Sequence, residues 1–301
     1  MAMKQAFASV QTETGRKLAA FGQFKASSAT RPLVQTLRHP IFFSRQKHYE
    51  ELQSKIEKAE LAGAYATIVA MGHEIGNALG TVTGYCQLMP FSFKAGKWDQ
   101  TSRQIMGAQS GIERTLGAIN DFQTILSKMQ HLPKIPYPGG KSLLMVDLGA
   151  ARKEAVLSSG HAAQSDLERT IQAAEMDGAR TAVATFLYGA QEDLYCIRGD
   201  LAALAVFSEE QMPGAALKLL TEMNPYLDRA VKSLGDLRIV VSSAKSLSFI
   251  ALPNGSRLID LSGAEKLHAA ERMAREEAAA AAKAEKATST PQPRQKTQEQ
   301  A

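Results

Sequence analysis

Three side chains within one helical turn carry groups suited to group-transfer chemistry. They are His73, Glu74 and Asn77, in the segment Met71-Gly72-His73-Glu74-Ile75-Gly76-Asn77-Ala78-Leu79. An unperturbed imidazole titrates near about pH 6.5, so it is largely neutral at physiological pH. One ring nitrogen is then a nucleophile, and the other carries a proton that an adjacent carboxylate can accept. Those are the requirements for capturing a phosphoryl group. A helical His beside a Glu is, taken alone, most often a solvated surface pair. The pattern also approaches the metal-binding H-E-x-x-H, but position 77 is Asn where the second ligand would stand, and that reading fails.

The elements that would position these groups are legible from periodicity. Residues 45–88 contain no proline, and Ile75, Leu79, Val82, Cys86 and Met89 recur at gaps of four and three, the seam of a packed helix. At about 100° per residue this seam lies about 200° round the helix from His73, whereas Asn77 lies about 40° from it. His73, Glu74 and Asn77 are therefore expected on one exposed patch. Met89-Pro90 and Gly96 should break this helix. A second follows to about position 130, with Ile105, Ile112, Ile119 and Leu126 every seven residues and Leu116, Phe122 and Met129 in the other seam position. Two such helices form an antiparallel hairpin whose seam stays open unless a second copy covers it, so a homodimeric four-helix bundle is expected. Trp98, the single tryptophan, falls in the connection, where it is a candidate partner contact but better suits a cap over the end of the bundle.

The His-Glu-x-x-Asn spacing on the first of two heptad helices resembles the dimerisation and histidine-phosphotransfer domain of histidine kinases over residues 45–130. By that resemblance His73 is the phosphoacceptor, Glu74 the acid that takes its proton, and Asn77 the polar residue of phosphatase and orienting roles. Gly84-Tyr85 matches the small-aromatic pair that follows. Ala78 stands where the family has proline, which implies a straighter helix below the histidine.

The cluster Pro133-Lys134-Ile135-Pro136-Tyr137-Pro138-Gly139-Gly140 reads as a linker over 133–142, and the pattern changes after it. The expected organisation is a leader at 1–44, the helical hairpin at 45–132, an α/β domain at 143–263, and an Ala/Glu/Lys-rich helix with a disordered tail at 264–301. The α/β domain combines helical patterns at 150–157, 164–174 and within 201–234 with β-like runs at 238–242, 247–252 and 257–261, the last two joined by a turn at Pro253-Asn254-Gly255. The fold class is α plus α/β: a hairpin dimerising into a four-helix bundle, followed by an α/β sandwich resembling a degenerate kinase ATPase domain. Val146-Asp147-Leu148 resembles that domain's opening, and Arg198-Gly199-Asp200-Leu201 its Gly-Asp lead-in. The ATP-binding boxes are depleted. Asp228 occupies the place of the magnesium-holding asparagine, Pro253 that of the adenine-box aspartate, and no glycine-rich phosphate cradle occurs.

A histidine-bearing bundle with a depleted ATPase-like domain resembles the histidine phosphotransferases of phosphorelays. The resemblance implies exchange of phosphate between His73 and the aspartates of response-regulator receiver domains. Magnesium would come from the receiver, and no intrinsic cofactor or ATP is expected. Two alternatives stand beside it: an ATP-dependent histidine kinase with a divergent site, and a non-catalytic dimeric scaffold for response regulators.

Composition bounds the rest. A surplus of 35 basic over 30 acidic residues gives a net charge of +5, dispersed along the chain, so no nucleic-acid partner is expected. Cys86 and Cys196 lack the neighbours of a zinc site or a disulfide framework, and no run of about 18 apolar residues occurs. A cytoplasmic protein without a membrane segment is expected. The pairs His161 with Asp166 and Cys196 with Asp193 read as solvated polar residues.

Overall fold

The computed structural model describes residues 43–129, 131–138, 143–149 and 165–288. Its proline-free stretch forms α1 (Phe43–Met71), a π-helical turn (Gly72–Gly76) and α2 (Asn77–Lys94), which run on as one rod. The rod does not stop at Met89-Pro90. Pro90 lies near its end and removes a single backbone donor, while Met89 and Phe93 are buried on either side of it. The chain reverses at Gly96, whose φ of 64° is the left-handed conformation that glycine adopts without strain. Helix α3 (Trp98–Lys128) then returns, with Ile105, Ile112, Ile119 and Leu126 buried as the heptad pattern requires. Strands β1 (Lys134–Pro136) and β2 (Leu144–Val146) pair antiparallel, with Lys134 opposite Val146.

The α/β sandwich expected over 143–263 takes a different form. The segment is mostly helical: α4 (Asp166–Glu209) is followed by α5 (Pro213–Ser243), and the run at 238–242 expected as a strand is the last part of α5. Helix periodicity and burial decide this, since Leu234, Leu237 and Val241 fall on one buried face. Helix α4 begins at a capping box in which Ser165 Oγ accepts from the Glu168 N–H and the Glu168 carboxylate accepts from the Ser165 N–H. Strands β3 (Phe249–Ala251) and β4 (Arg257–Ile259) do form, joined through the Pro253-Asn254-Gly255 turn, and α6 (Ala264–Thr288) covers the Ala/Glu/Lys-rich stretch. The described residues are thus mostly helical, with two small antiparallel sheets of two strands each. The helical pattern at 150–157, His161, nearly all of the leader and the tail from position 289 lie outside the described residues.

The second half repeats the first. A shift of 115 residues carries the end of α2 at Lys94 onto the end of α4 at Glu209, Trp98–Lys128 onto Pro213–Ser243, and Lys134–Pro136 onto Phe249–Ala251. With two residues fewer in the hairpin turn, Leu144–Val146 falls on Arg257–Ile259. The turns agree bond for bond. Gly96 N–H donates to Phe93 O and Lys97 N–H to Ser92 O; Gln211 N–H donates to Ser208 O and Met212 N–H to Phe207 O. Asp147 Oδ1 accepts from the Gly149 N–H, and Asp260 Oδ1 from the Ser262 N–H, both at 2.9 Å. The seam positions Leu79, Val82, Cys86 and Met89 become Leu194, Ile197, Leu201 and Leu204, all at most 4% exposed. Apolar character is retained where identity is mostly lost. The traces left in sequence are Ala-Glu-x-x-Gly-Ala at 59–64 and 174–179, and Val-Asp-Leu against Ile-Asp-Leu at 146–148 and 259–261.

The repeats pack through α1 and α4 across a pseudo-two-fold relation. A Cβ on Gly63 would lie 2.0 Å from the Glu175 carbonyl oxygen, and one on Gly178 would lie 1.9 Å from that of Glu60. Each glycine meets the residue three before the other, the reciprocity of an isologous contact. The seam left for a second copy is covered by this chain itself: α4 packs on α1 and α3, and α5 on α1 and α2. One apolar core therefore runs through both halves. Its edges are tied by ion pairs to the same two glutamates, Lys134 to Glu175 at 2.9 Å and Arg257 to Glu60 at 2.6 Å.

Candidate functional site

His73 lies inside the π-helical turn Gly72–Gly76, in a rod that Ala78 had implied would be regular. A π turn takes one more residue per hydrogen-bonded ring than an α turn and is found mostly as a single turn within α-helices, frequently at functional sites. Ile75 points into the core and anchors the turn, which leaves His73 and Glu74 at the surface with side chains 39% and 42% exposed. His73 Nε2 lies 3.9 Å from Glu74 Oε1, within ion-pair range but beyond a hydrogen bond. Asn77 is exposed at the start of α2, where its carbonyl accepts from Thr81 Oγ1 at 3.0 Å. All three residues therefore reach solvent, and the His73 and Glu74 side chains lie side by side.

A fourth group, missed in the sequence, completes the surroundings. Tyr137, immediately after β1, stands edge-on to His73, with ring centroids 5.9 Å apart and planes at 84°. Nothing local in the sequence joins these rings, because the contact depends on where the β1–β2 hairpin docks.

Below His73 runs an open groove of about 330 Å³ between α2 and α5. Gly76, Gly80 and Gly84 form its smooth wall together with Leu79, Thr83 and Gln87, and Val231 and Leu234 face them. A Cβ at Gly80 or Gly84 would meet nothing within 4 Å, so the groove is open to an incoming surface.

The matching face of the second repeat lacks the histidine and two of the three groove glycines, with Gly199 alone kept at the place of Gly84. By the same shift Tyr188, Gly189 and Glu192 stand where His73, Glu74 and Asn77 do, and Tyr188 is 73% exposed. Tyr195 and Arg198 replace Gly80 and Thr83, and Arg198 Nε is tied to Glu113 Oε1 at 2.7 Å. The duplication is therefore one of architecture, and the His73, Glu74 and Asn77 constellation occurs in one half.

The remaining candidates from the sequence are structural. Trp98 packs edge-on to Phe93 at 6.0 Å and closes the end of the first hairpin. Asp193 is buried and held by Arg229 through both carboxylate oxygens, a correction to its reading as solvated, with Tyr226 under the guanidinium. Burial, reinforced by Asp200, Glu192 and Asp193, pushes the Cys196 thiol up, and burial takes Cys86 to about 12, so neither is an activated nucleophile. Arg198–Leu201 lies within α4, and Asn224–Ala230, the segment around Asp228, lies within α5. Among the described residues no three His, Cys, Asp or Glu side chains cluster to hold a metal ion, and no helix is long and apolar enough to cross a membrane. No family model matches this chain, and no curated protein or solved structure matches it.

Proposed function

We propose that this chain is a histidine phosphotransferase in which His73 takes a phosphoryl group from the aspartyl phosphate of a receiver domain and passes it to another receiver. The observation that carries the reading is a half-exposed imidazole beside a carboxylate, in a π-helical turn at the head of an open groove. An imidazole nitrogen attacks phosphorus, the acyl-phosphate P–O bond breaks, and the aspartate carboxylate departs. The proton on the other ring nitrogen is received or hydrogen-bonded by Glu74, and Asn77 contacts the phosphoryl oxygens. Magnesium is supplied by the receiver and offsets the charge on the transferring group.

The second hairpin, expected from another protomer, comes from the same chain in this reading. One chain then makes the four-helix bundle that a homodimer would otherwise build, with one phosphoryl site instead of two. The groove along Gly76, Gly80 and Gly84 admits a helix of the receiver at close range. The pseudo-symmetric face, filled by Tyr195 and Arg198, admits none.

The test is to incubate the purified protein and a His73→Ala variant with labelled ATP, and separately with a phosphorylated receiver. Label exchanged only with the receiver, at one group per chain and only when His73 is present, is the expected result. Label from ATP alone would make the protein a kinase, and no label in either arm would leave a scaffold.

A further inference from the structure

We infer that Tyr137 is a positioning residue that fixes the orientation of the His73 imidazole, and that the second repeat holds Tyr137 in place. For its meaning in catalysis this rests on the phosphoacceptor reading of His73. The two rings meet edge to face at 5.9 Å and 84°, the geometry that ring quadrupoles favour. A contact of that kind opposes rotation of the imidazole about its terminal torsion, which is otherwise broad and soft. The plane of the ring is then set with Nε2 on the side of Glu74.

Tyr137 is itself held. Its N–H donates to Leu143 O at 2.8 Å, closing the end of the β1–β2 hairpin, and the Asp147 N–H donates to Pro133 O at 2.9 Å at the other end. Lys134 Nζ, three residues before Tyr137, binds both carboxylate oxygens of Glu175 on α4 at 2.9 Å. The second repeat, which has Tyr188 at the position of His73, thereby anchors the ring that orients the histidine.

The repeat supplies the internal control. In the second hairpin the residue equivalent to Tyr137 is Leu252, whose N–H makes the same bond, to Ser256 O at 2.8 Å. The hairpin folds with leucine there, so its architecture does not require tyrosine. The aromatic ring occurs where the imidazole occurs and is absent where Tyr188 replaces it.

The test compares wild type with Tyr137→Leu, the residue the second repeat already tolerates, and with Tyr137→Phe. Two readouts are taken on the full chain. The first is the His73 ring-proton resonance, assigned by its loss in His73→Ala. The second is the pH–rate profile for labelling of His73 by phosphoramidate, a donor that needs no receiver, mapped by mass spectrometry. Ring-current shift of the His73 signal in wild type and Tyr137→Phe, lost in Tyr137→Leu, is expected, with labelling slowed roughly tenfold in Tyr137→Leu and its pH profile altered. Lys134→Ala should move the resonance part of the way. A resonance and rate unchanged in Tyr137→Leu would overturn the inference. A ring-shifted signal with no labelling of wild-type His73 by phosphoramidate or a phosphorylated receiver would instead overturn the phosphoacceptor reading while upholding the contact.

Discussion

Gly63 and Gly178 face each other across the crossing of α1 and α4, each against the backbone that precedes the other. The helices meet at a separation that leaves no room for a methyl group, and the two halves of the chain are registered by this contact. It also explains why both positions must be glycine although both are helical, where glycine is otherwise unfavourable.

Replacing either glycine with alanine should destabilise the fold by roughly 3 kcal/mol, because the clash is with backbone and cannot be relieved by a rotamer change. The double variant should lose less than the sum, since the first substitution already parts the helices. Gly117→Ala, on an exposed face with nothing within 4 Å, should instead gain about 0.5–1 kcal/mol. Urea unfolding followed by circular dichroism measures all three.

The two reversals carry different residues at the left-handed position. Gly96 has a φ of 64°, and its counterpart Gln211 has a φ of 54° and bears a side chain. Gln211→Gly should raise stability by about 1 kcal/mol by removing the left-handed penalty. The same experiment at Gly96, as Gly96→Gln, should cost a similar amount. Melting curves that shift in the same direction for both would contradict the equivalence of the turns.

The groove below His73 makes a separable prediction about chemistry. Gly80→Leu places a side chain in open space, so the fold should keep its melting temperature. Transfer from a phosphorylated receiver should fall at least tenfold, while direct labelling of His73 by phosphoramidate should not change. Equal loss in both assays would show that the substitution harms the histidine itself and not the approach of a partner.

Asp200 on α4 is pushed above the ordinary carboxylate range by burial, with Glu222 adding to the shift. The folded state therefore holds that proton more tightly than the unfolded chain, and stability contributed there is lost as pH rises from the ordinary carboxylate value through the folded one. Asp200→Asn should stabilise the protein at pH 7 and give no gain below about pH 3.8, the ordinary aspartate value. Chemical denaturation at the two pH values distinguishes this from a uniform effect.

Native alkylation should separate the cysteines from the catalytic reading. Cys86, with its thiol taken to about 12 by burial in the first hairpin, should resist iodoacetamide at pH 8 until the protein unfolds. Cys196 should react slowly, and neither modification should be prevented by His73→Ala. Rapid reaction of Cys86 in the folded protein would mean that the seam opens in solution.

The sequence by itself determined the local matters: two heptad helices, the β3–β4 hairpin with its turn, and an outward His73 beside Glu74 and Asn77. Those follow from periods of three to four residues and from turn residues, which act over one or two turns of chain. It misjudged the strand at 238–242, because a short apolar run carries no length information, and of the two breakers it named for the first rod, Met89-Pro90 and Gly96, only the second reverses the chain. What only tertiary structure decided was non-local. The second half is a second hairpin, recognisable through bonds and burial after most identities had drifted, since a core fixes apolar volume and not residue type. The same packing covers the seam from within the chain, places the groove between α2 and α5, and brings Tyr137 of a distant hairpin against His73.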